Sequence, residues 1–142
     1  MDKKFLTAPC GLDCFNCSLL ESNITENVKE ATAKHLNVKP EDVVCKGCRS
    51  EEGRCKYAHD CATYKCVTGK GSSFCYECSD FPCDFYLPSQ KAAHFPHNMK
   101  LYNLCRIKLI GLDAWIDEVP QIRKRYYNGD FVQGQGPVLK TE

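Results

Sequence analysis

The chain contains no apolar run approaching the roughly 20 residues that a membrane-spanning helix needs. Its opening, Met1-Asp2-Lys3-Lys4-Phe5-Leu6-Thr7-Ala8-Pro9, has no apolar stretch that could form a signal-peptide core. No Ser/His/Asp pattern is present, and no histidine and carboxylate set is spaced as in a zinc hydrolase. Gly134-Gln135-Gly136 is not a phosphate loop, because no strand pattern precedes it and no helix pattern follows. Net charge is nearly absent at +1. Lys46, Arg49, Arg54, Lys56, Lys65 and Lys70 are interrupted by Glu51, Glu52 and Asp60 and lack interleaved stacking aromatics, which argues against a nucleic-acid partner. These absences point to a cytoplasmic protein with no membrane contact and no recognisable hydrolytic or nucleotide-binding machinery.

What the chain has in abundance is cysteine, 12 in 142 residues. Such a density means either a disulfide scaffold or a metal scaffold. In a reducing compartment clustered cysteines bind metal or do redox chemistry, so metal is expected. A coordinated thiolate is deprotonated, so a divalent ion with four of them carries a local charge of about −2. The lysines and arginines above are therefore expected to offset thiolate charge.

The length suits one domain spanning 1–142. The expected fold is a small metal-stabilised, α-rich and irregular domain, with a cysteine-rich loop lobe carrying zinc knuckles packed on a few helices. The lobe covers 8–88. Within it a cysteine-free insert, about 23–37, reads as a helix: Asn23 and Glu26 form a capping box, Ile24, Val28, Ala31 and His35 share a face, and Pro40 marks the end. From Cys45 to Pro88 no period is sustained, and metal ligation must replace the missing core. A helical part follows at 98–127, with Leu101, Leu104, Cys105, Leu109, Leu112, Trp115 and Ile116 as a stripe broken at Gly111. Asn98 and Asp113 are the expected caps, Pro120 is expected to kink or end the second helix, and 128–142 is an extended tail.

Four cysteine groups carry the chemistry: Cys10-x3-Cys14-x2-Cys17, Cys45-x2-Cys48, Cys55-x5-Cys61-x4-Cys66, and Cys75-x2-Cys78-x4-Cys83. Two residues between cysteines let both sulfurs face one ion while backbone amides donate to them. The simplest partition assigns Cys14, Cys17, Cys45 and Cys48 to one tetrahedral site, and Cys75, Cys78 and Cys83 with Cys66 or Cys61 to a second. Cys10, Cys55 and the remaining member of the Cys61/Cys66 pair would make four with His59, though His59 alone reads as an exposed loop histidine. His35, His94 and His97 read as structural or solvated, and Trp115, Tyr126 and Tyr127 as packing residues. Cys105 falls on the apolar stripe and outside the metal sites. The first group has the spacing of the radical S-adenosylmethionine cluster motif, but the chain is too short for the partial barrel those enzymes need.

The string Ala8-Pro9-Cys10-Gly11-Leu12-Asp13-Cys14-Phe15-Asn16-Cys17, with Cys45-Lys46-Gly47-Cys48-Arg49, Cys61 to Cys66, and Cys75-Tyr76-Glu77-Cys78-Ser79-Asp80-Phe81-Pro82-Cys83, resembles a family of small cysteine-rich proteins catalogued as domain of unknown function 3795. Gly111 and Trp115 resemble that family's later helical segment. The resemblance covers roughly 8–117 and implies a zinc-binding protein with no established reaction. It departs between Cys55 and Cys66, where the family often places another cysteine just before the position of Cys61.

Together these readings predict structural, cysteine-ligated zinc, about two or three ions per chain, in a protein-interaction or accessory module with a protein partner. The rival is an electron-transfer protein carrying a 4Fe-4S cluster, because cysteine-only ligation serves both metals. A thiol-redox enzyme or metal sensor is the third class.

Overall fold

The computed structural model describes residues 1–55, 60–86, 99–132 and 136–139. It is a small, mostly helical, cysteine-rich chain that divides into two compact units, Met1–Phe81 and Pro82–Glu142. The division falls inside the last cysteine group, between Cys78 and Cys83. Among the described residues no helix is long and apolar enough to cross a membrane.

In the first unit the cysteine-free insert forms α1, Glu26–Leu36. Its cap is Thr25, whose hydroxyl accepts from the Val28 amide, and not Asn23. Asn23 is engaged elsewhere, its side-chain amide donating to the carbonyls of Phe15 at 2.8 Å and Cys17 at 3.0 Å. With the start moved to Glu26, the covered face is Val28, Thr32, Ala33 and Leu36, while Ala31 and His35 are exposed. The expected face was anchored on Ile24, which precedes the helix. Asn37 ends α1 in the left-handed region, and Pro40 opens a 3-10 turn, Pro40–Val43, that buries Val43 completely.

The other helix of this unit is α2, Ala62–Gly69, which buries Val67. Among the described residues from Cys45 to Phe81 the buried apolar side chains are Cys45, Val67, Phe74 and Cys75 alone. So little apolar burial contributes little against the ordering entropy of this stretch.

The second unit pairs α3, Met99–Ile110, with α4, Leu112–Asn128. Met99, Leu104, Ile107, Trp115, Val119 and Ile122 form its core, and the Trp115 indole donates to the buried Asn103 side chain at 3.4 Å. The expected stripe is out of phase here: Cys105 and Leu109 are exposed. Apolar residues lie on several sides of α3, so spacing alone does not select the face, and Asn103 takes an inward place because Trp115 supplies its partner. Gly111, at φ +85, precedes α4 in the cap position expected of Asp113, which lies in the first turn instead. The expected cap at Asn98 lies outside the described residues.

Pro120 neither ends α4 nor stops it from reaching Asn128. Its ring is exposed, so the carbonyl it leaves without a donor lies on the solvent side, and burial of Val119 and Ile122 on the other face offsets the cost of about 3 kcal/mol. The tail holds a two-stranded antiparallel ladder, β1 (Asp130–Val132) with β2 (Gly136–Val138), in the register Asp130 to Val138.

One ion pair fastens α3 to α4: the Arg106 guanidinium donates through two nitrogens to Glu118, one bond at 2.7 Å. Arg106 holds the Glu118 carboxyl below the usual glutamate range. A depressed carboxyl stabilises the fold above its unfolded value and ceases to do so as pH falls through the folded one. Stability of this unit, followed by fluorescence of the single tryptophan, Trp115, is therefore expected to fall on acidification below the ordinary glutamate range. Glu118→Gln should flatten that dependence, and an unchanged acid profile would show that the pair contributes nothing.

Candidate metal centre

Two of the three Cys-x2-Cys steps share one backbone. Cys14–Asn16 and Cys75–Glu77 are 3-10 turns, closed by the Cys17 amide on the Cys14 carbonyl at 3.0 Å and the Cys78 amide on the Cys75 carbonyl at 3.1 Å. In each, the third side chain reaches back to brace the start. Asn16 donates to the Asp13 carboxylate, and the Glu77 carboxylate accepts from the Ser73 and Phe74 amides. Side chains three apart in such a turn eclipse, which presents both thiols on one side.

The Cys45-x2-Cys48 step is built differently. Gly47 sits at φ +97, and its amide donates to the Cys45 sulfur at 3.4 Å. The positive φ disfavours other residues here, and a Cβ on Gly47 would lie 2.8 Å from Leu6 Cδ2, the tip of a side chain that would have to shift. The step is docked onto the first group by the main chain. The Cys45 amide donates to the Leu19 carbonyl at 2.9 Å, and the Glu21 amide donates to the Cys45 carbonyl at 2.8 Å. The Cys48 amide in turn donates to the Cys14 sulfur.

Beyond Cys48 the chain folds back on itself. The Gly53 amide donates to the Cys48 carbonyl at 2.9 Å, and the Cys61 amide to the Gly53 carbonyl at 3.3 Å. The last group is tied in by the Cys75 amide on the Pro9 carbonyl, and by Arg49, which donates to the Thr7 and Ser73 carbonyls while stacking on Phe74.

The charges of Cys10, Cys17, Cys55 and Cys61 are felt at one or more of Cys14, Cys45 and Cys48. Burial pushes the Cys14 thiol up to about 12, opposed by the Cys48 amide and reinforced by Cys10, Cys17 and Cys45. Cys48 is likewise pushed up to about 12, by burial and then by Cys10, Cys14, Cys55 and Cys61. Cys45 is raised by burial, with Glu51, Cys55 and Cys17 adding to the effect against the Gly47 amide. As the side chains stand, no three His, Cys, Asp or Glu groups among the described residues converge on one ion position. A thiol-only donor set suits zinc or an iron-sulfur cluster.

The remaining cysteines lie around α2 and the last cysteine turn. Cys61 precedes α2 and Cys66 lies within it, five positions on, about 140° round the helix axis. The Cys78 sulfur accepts from Lys70 Nζ at 3.0 Å and from the Asp80 amide at 3.4 Å. Lys70 also binds Asp80 at 2.7 Å, which holds that carboxyl low. Cys83 is an exposed thiol of the second unit, and His59 and Lys56 lie outside the described residues. None of the twelve cysteines is in a disulfide.

Of the basic residues expected to offset thiolate charge, Lys70 is the one among the described residues that donates to a sulfur. Arg49 serves backbone carbonyls, Arg54 pairs with Glu52, and Lys65 pairs with Asp60. Asn23, which closes the first cysteine turn, was hidden from sequence by its resemblance to a helix cap.

The arrangement defines a cysteine-rich protein whose first 81 residues are organised by turns that gather thiols. Residues 6–87 match the family described as Protein of unknown function (DUF3795), and the chain belongs to that family. No curated protein and no solved structure matches it.

Two outcomes follow from this geometry. Gly47→Ala is expected to destabilise the first unit by about 1–3 kcal/mol in a denaturant titration. Gly71→Ala, also at positive φ but with nothing within 4 Å of its Cβ position, should cost less. Equal costs would mean that the Leu6 contact is unimportant. Because Cys14 and Cys48 lie above the ordinary thiol value of 9.0, metal-free protein should hold its stability below that pH. It should lose stability above it, as the unfolded chain ionises first. A flat denaturation midpoint from neutral to strongly alkaline pH would contradict this.

Proposed function

We propose that this chain is a metal-binding module in which zinc held by cysteine thiolates is structural, and that it acts as an accessory or protein-interaction component rather than a catalyst. The observation that supports the reading is that main-chain hydrogen bonds tie Cys45 to the chain just after Cys17 and tie the Cys48 loop through Gly53 to Cys61, while among the described residues from Cys45 to Phe81 the buried apolar side chains are Cys45, Val67, Phe74 and Cys75. Burial makes Cys14, Cys45 and Cys48 resist ionisation unless a cation joins them, and a metal ion would supply that charge together with a crosslink. Cys66, Cys75, Cys78 and Cys83 are the candidates for a further site.

When bound, the metal supplies crosslinking and charge neutralisation. The chain's own residues do the rest. Gly47 and Asp80 amides donate to Cys45 and Cys78, and the Cys48 amide donates to Cys14, which orients the thiols and moderates their negative charge. A set made only of cysteines leaves no open position for substrate, which favours a structural role. Reduced cysteines throughout suit a reducing compartment such as the cytoplasm.

Protein purified without oxygen is expected to carry two or more zinc ions per chain (about four thiolates each) and no visible absorption band. Removing them with a chelator should abolish slow hydrogen exchange between Cys45 and Phe81 while sparing α3 and α4. A brown protein containing iron and labile sulfide would overturn zinc in favour of a cluster, and slow exchange surviving chelation would overturn the structural role.

A further inference from the structure

We propose that Cys75 and Cys78 form a reversible redox couple, which a low-molecular-weight disulfide oxidises through Cys78 and whose reduced state Lys70 favours. The proposal stands beside the metal-binding reading above, and it removes this pair from the candidates for a further metal site.

The first argument is backbone geometry. The Cys75–Glu77 turn is closed by the Cys78 amide on the Cys75 carbonyl at 3.1 Å. A turn closed from one residue to the third after it holds their Cα atoms within about 7 Å, and a disulfide spans about 4.4–6.8 Å between Cα atoms. Side chains three apart in a 3-10 turn eclipse, which puts the two thiols on one side. The turn is pinned at its start by the Cys75 amide on the Pro9 carbonyl at 3.0 Å and the Ser73 amide on the Glu77 carboxylate at 2.7 Å. A disulfide here therefore asks little of the main chain.

The second argument is what surrounds each sulfur. Cys75 is buried and Cys78 half-buried, so a reagent in solution meets Cys78 first. The exposed Lys70 donates from Nζ to the Cys78 sulfur at 3.0 Å and is held there by Asp80 at 2.7 Å. The Asp80 amide donates to the same sulfur at 3.4 Å. Cys14 and Cys17 stand on the same kind of turn, yet among the described residues Lys70 is the one lysine that donates to a sulfur. With the backbone common to both turns, Lys70 and Asp80 are what set the later pair apart.

The exchange balances without a cofactor. The Cys78 sulfur gives up its proton and attacks one sulfur of the small disulfide, R–S–S–R; that bond breaks, and the first RSH leaves with the proton. The Cys75 sulfur then attacks the Cys78 sulfur, displaces the second RSH with its own proton and closes the protein disulfide. Two cysteines lose two electrons in all, and the small disulfide gains them. A disulfide sulfur offers the Lys70 ammonium no negative charge, so the contact is strongest in the reduced protein and opposes oxidation.

The test uses the full chain, purified without oxygen and equilibrated in buffers of reduced and oxidised glutathione at graded ratios. Free thiols are trapped by alkylation, and the peptides are read by mass spectrometry. Expected is one two-electron transition in which Cys75 and Cys78 lose their thiols together and are found linked to each other. Lys70→Met should make the pair easier to oxidise, raising the exchange equilibrium constant roughly fivefold, the scale of one exposed charge contact. Lys70→Arg should keep most of the wild-type value. Alkylation of both thiols at every ratio, or Cys78 linked to another cysteine, overturns the couple, and this reading needs no variant to fold. An unchanged midpoint in Lys70→Met overturns the role of Lys70. Thiols that resist both glutathione and alkylation until a chelator is added are metal ligands, which overturns the couple and leaves the metal-binding reading intact. A Cys75–Cys78 disulfide in a chain that holds no metal supports the couple and overturns the metal-binding reading alone.

Discussion

The first unit depends on a short main-chain splice, in which the Cys45 amide meets the Leu19 carbonyl and the Cys45 carbonyl meets the Glu21 amide. Cys45 thereby joins the chain just after Cys17 as a bridge partner of Leu20. The stretch between them, including α1, is a closed excursion whose ends are fixed by this contact. Without it, the first two cysteine groups would be joined only by a flexible loop, and bringing them together would cost loop-closure entropy at each folding event. With it, Cys48 is delivered to Cys14, and the later groups can be added one tether at a time.

The tethers also explain why so little apolar burial is tolerated. Backbone hydrogen bonds in turns contribute modestly to net stability, about 0.5–1.5 kcal/mol each, and several of those near the cysteines lie at intermediate or exposed positions. They fix direction better than they resist unfolding. In the second unit Trp115, Leu104, Ile107 and Ile122 form the core.

Much of this was legible in the sequence, and the misreadings have physical causes. Cysteine spacing located the turns, and the apolar and charged patterning located α1, α3 and α4. Helix caps were misplaced where a residue had a stronger use: Asn23 resembles a cap but spans two carbonyls of the first cysteine turn. Faces were misplaced where apolar residues surround a helix, so that Cys105, expected inward, is exposed. Pro120 was read as a break because its cost is local and visible, whereas the compensating burial of Val119 and Ile122 depends on partners distant in sequence. Spacing could not reveal that two Cys-x2-Cys steps are 3-10 turns and the third a glycine turn, although Gly47 marked the difference.

The basic residues teach the same lesson about charge. Sequence proximity made six lysines and arginines look like counterions for thiolate. A long cationic side chain near several acceptors goes to whichever is best placed, and here Glu52, Asp60 and main-chain carbonyls take most of them. Lys70 alone is recorded reaching sulfur, at Cys78, where Asp80 holds it from the other side. The Cys78 sulfur therefore has a protein-borne cation, while the charges recorded as acting on Cys14, Cys45 and Cys48 come from other thiols and Glu51, and these only repel. Two solutions to the same electrostatic problem thus stand in one unit. At Cys78 a lysine stands on the sulfur, whereas burial and the other thiols oppose ionisation at Cys14 and Cys48. That contrast separates the Cys78 turn from Cys14 and Cys48 more sharply than cysteine spacing does.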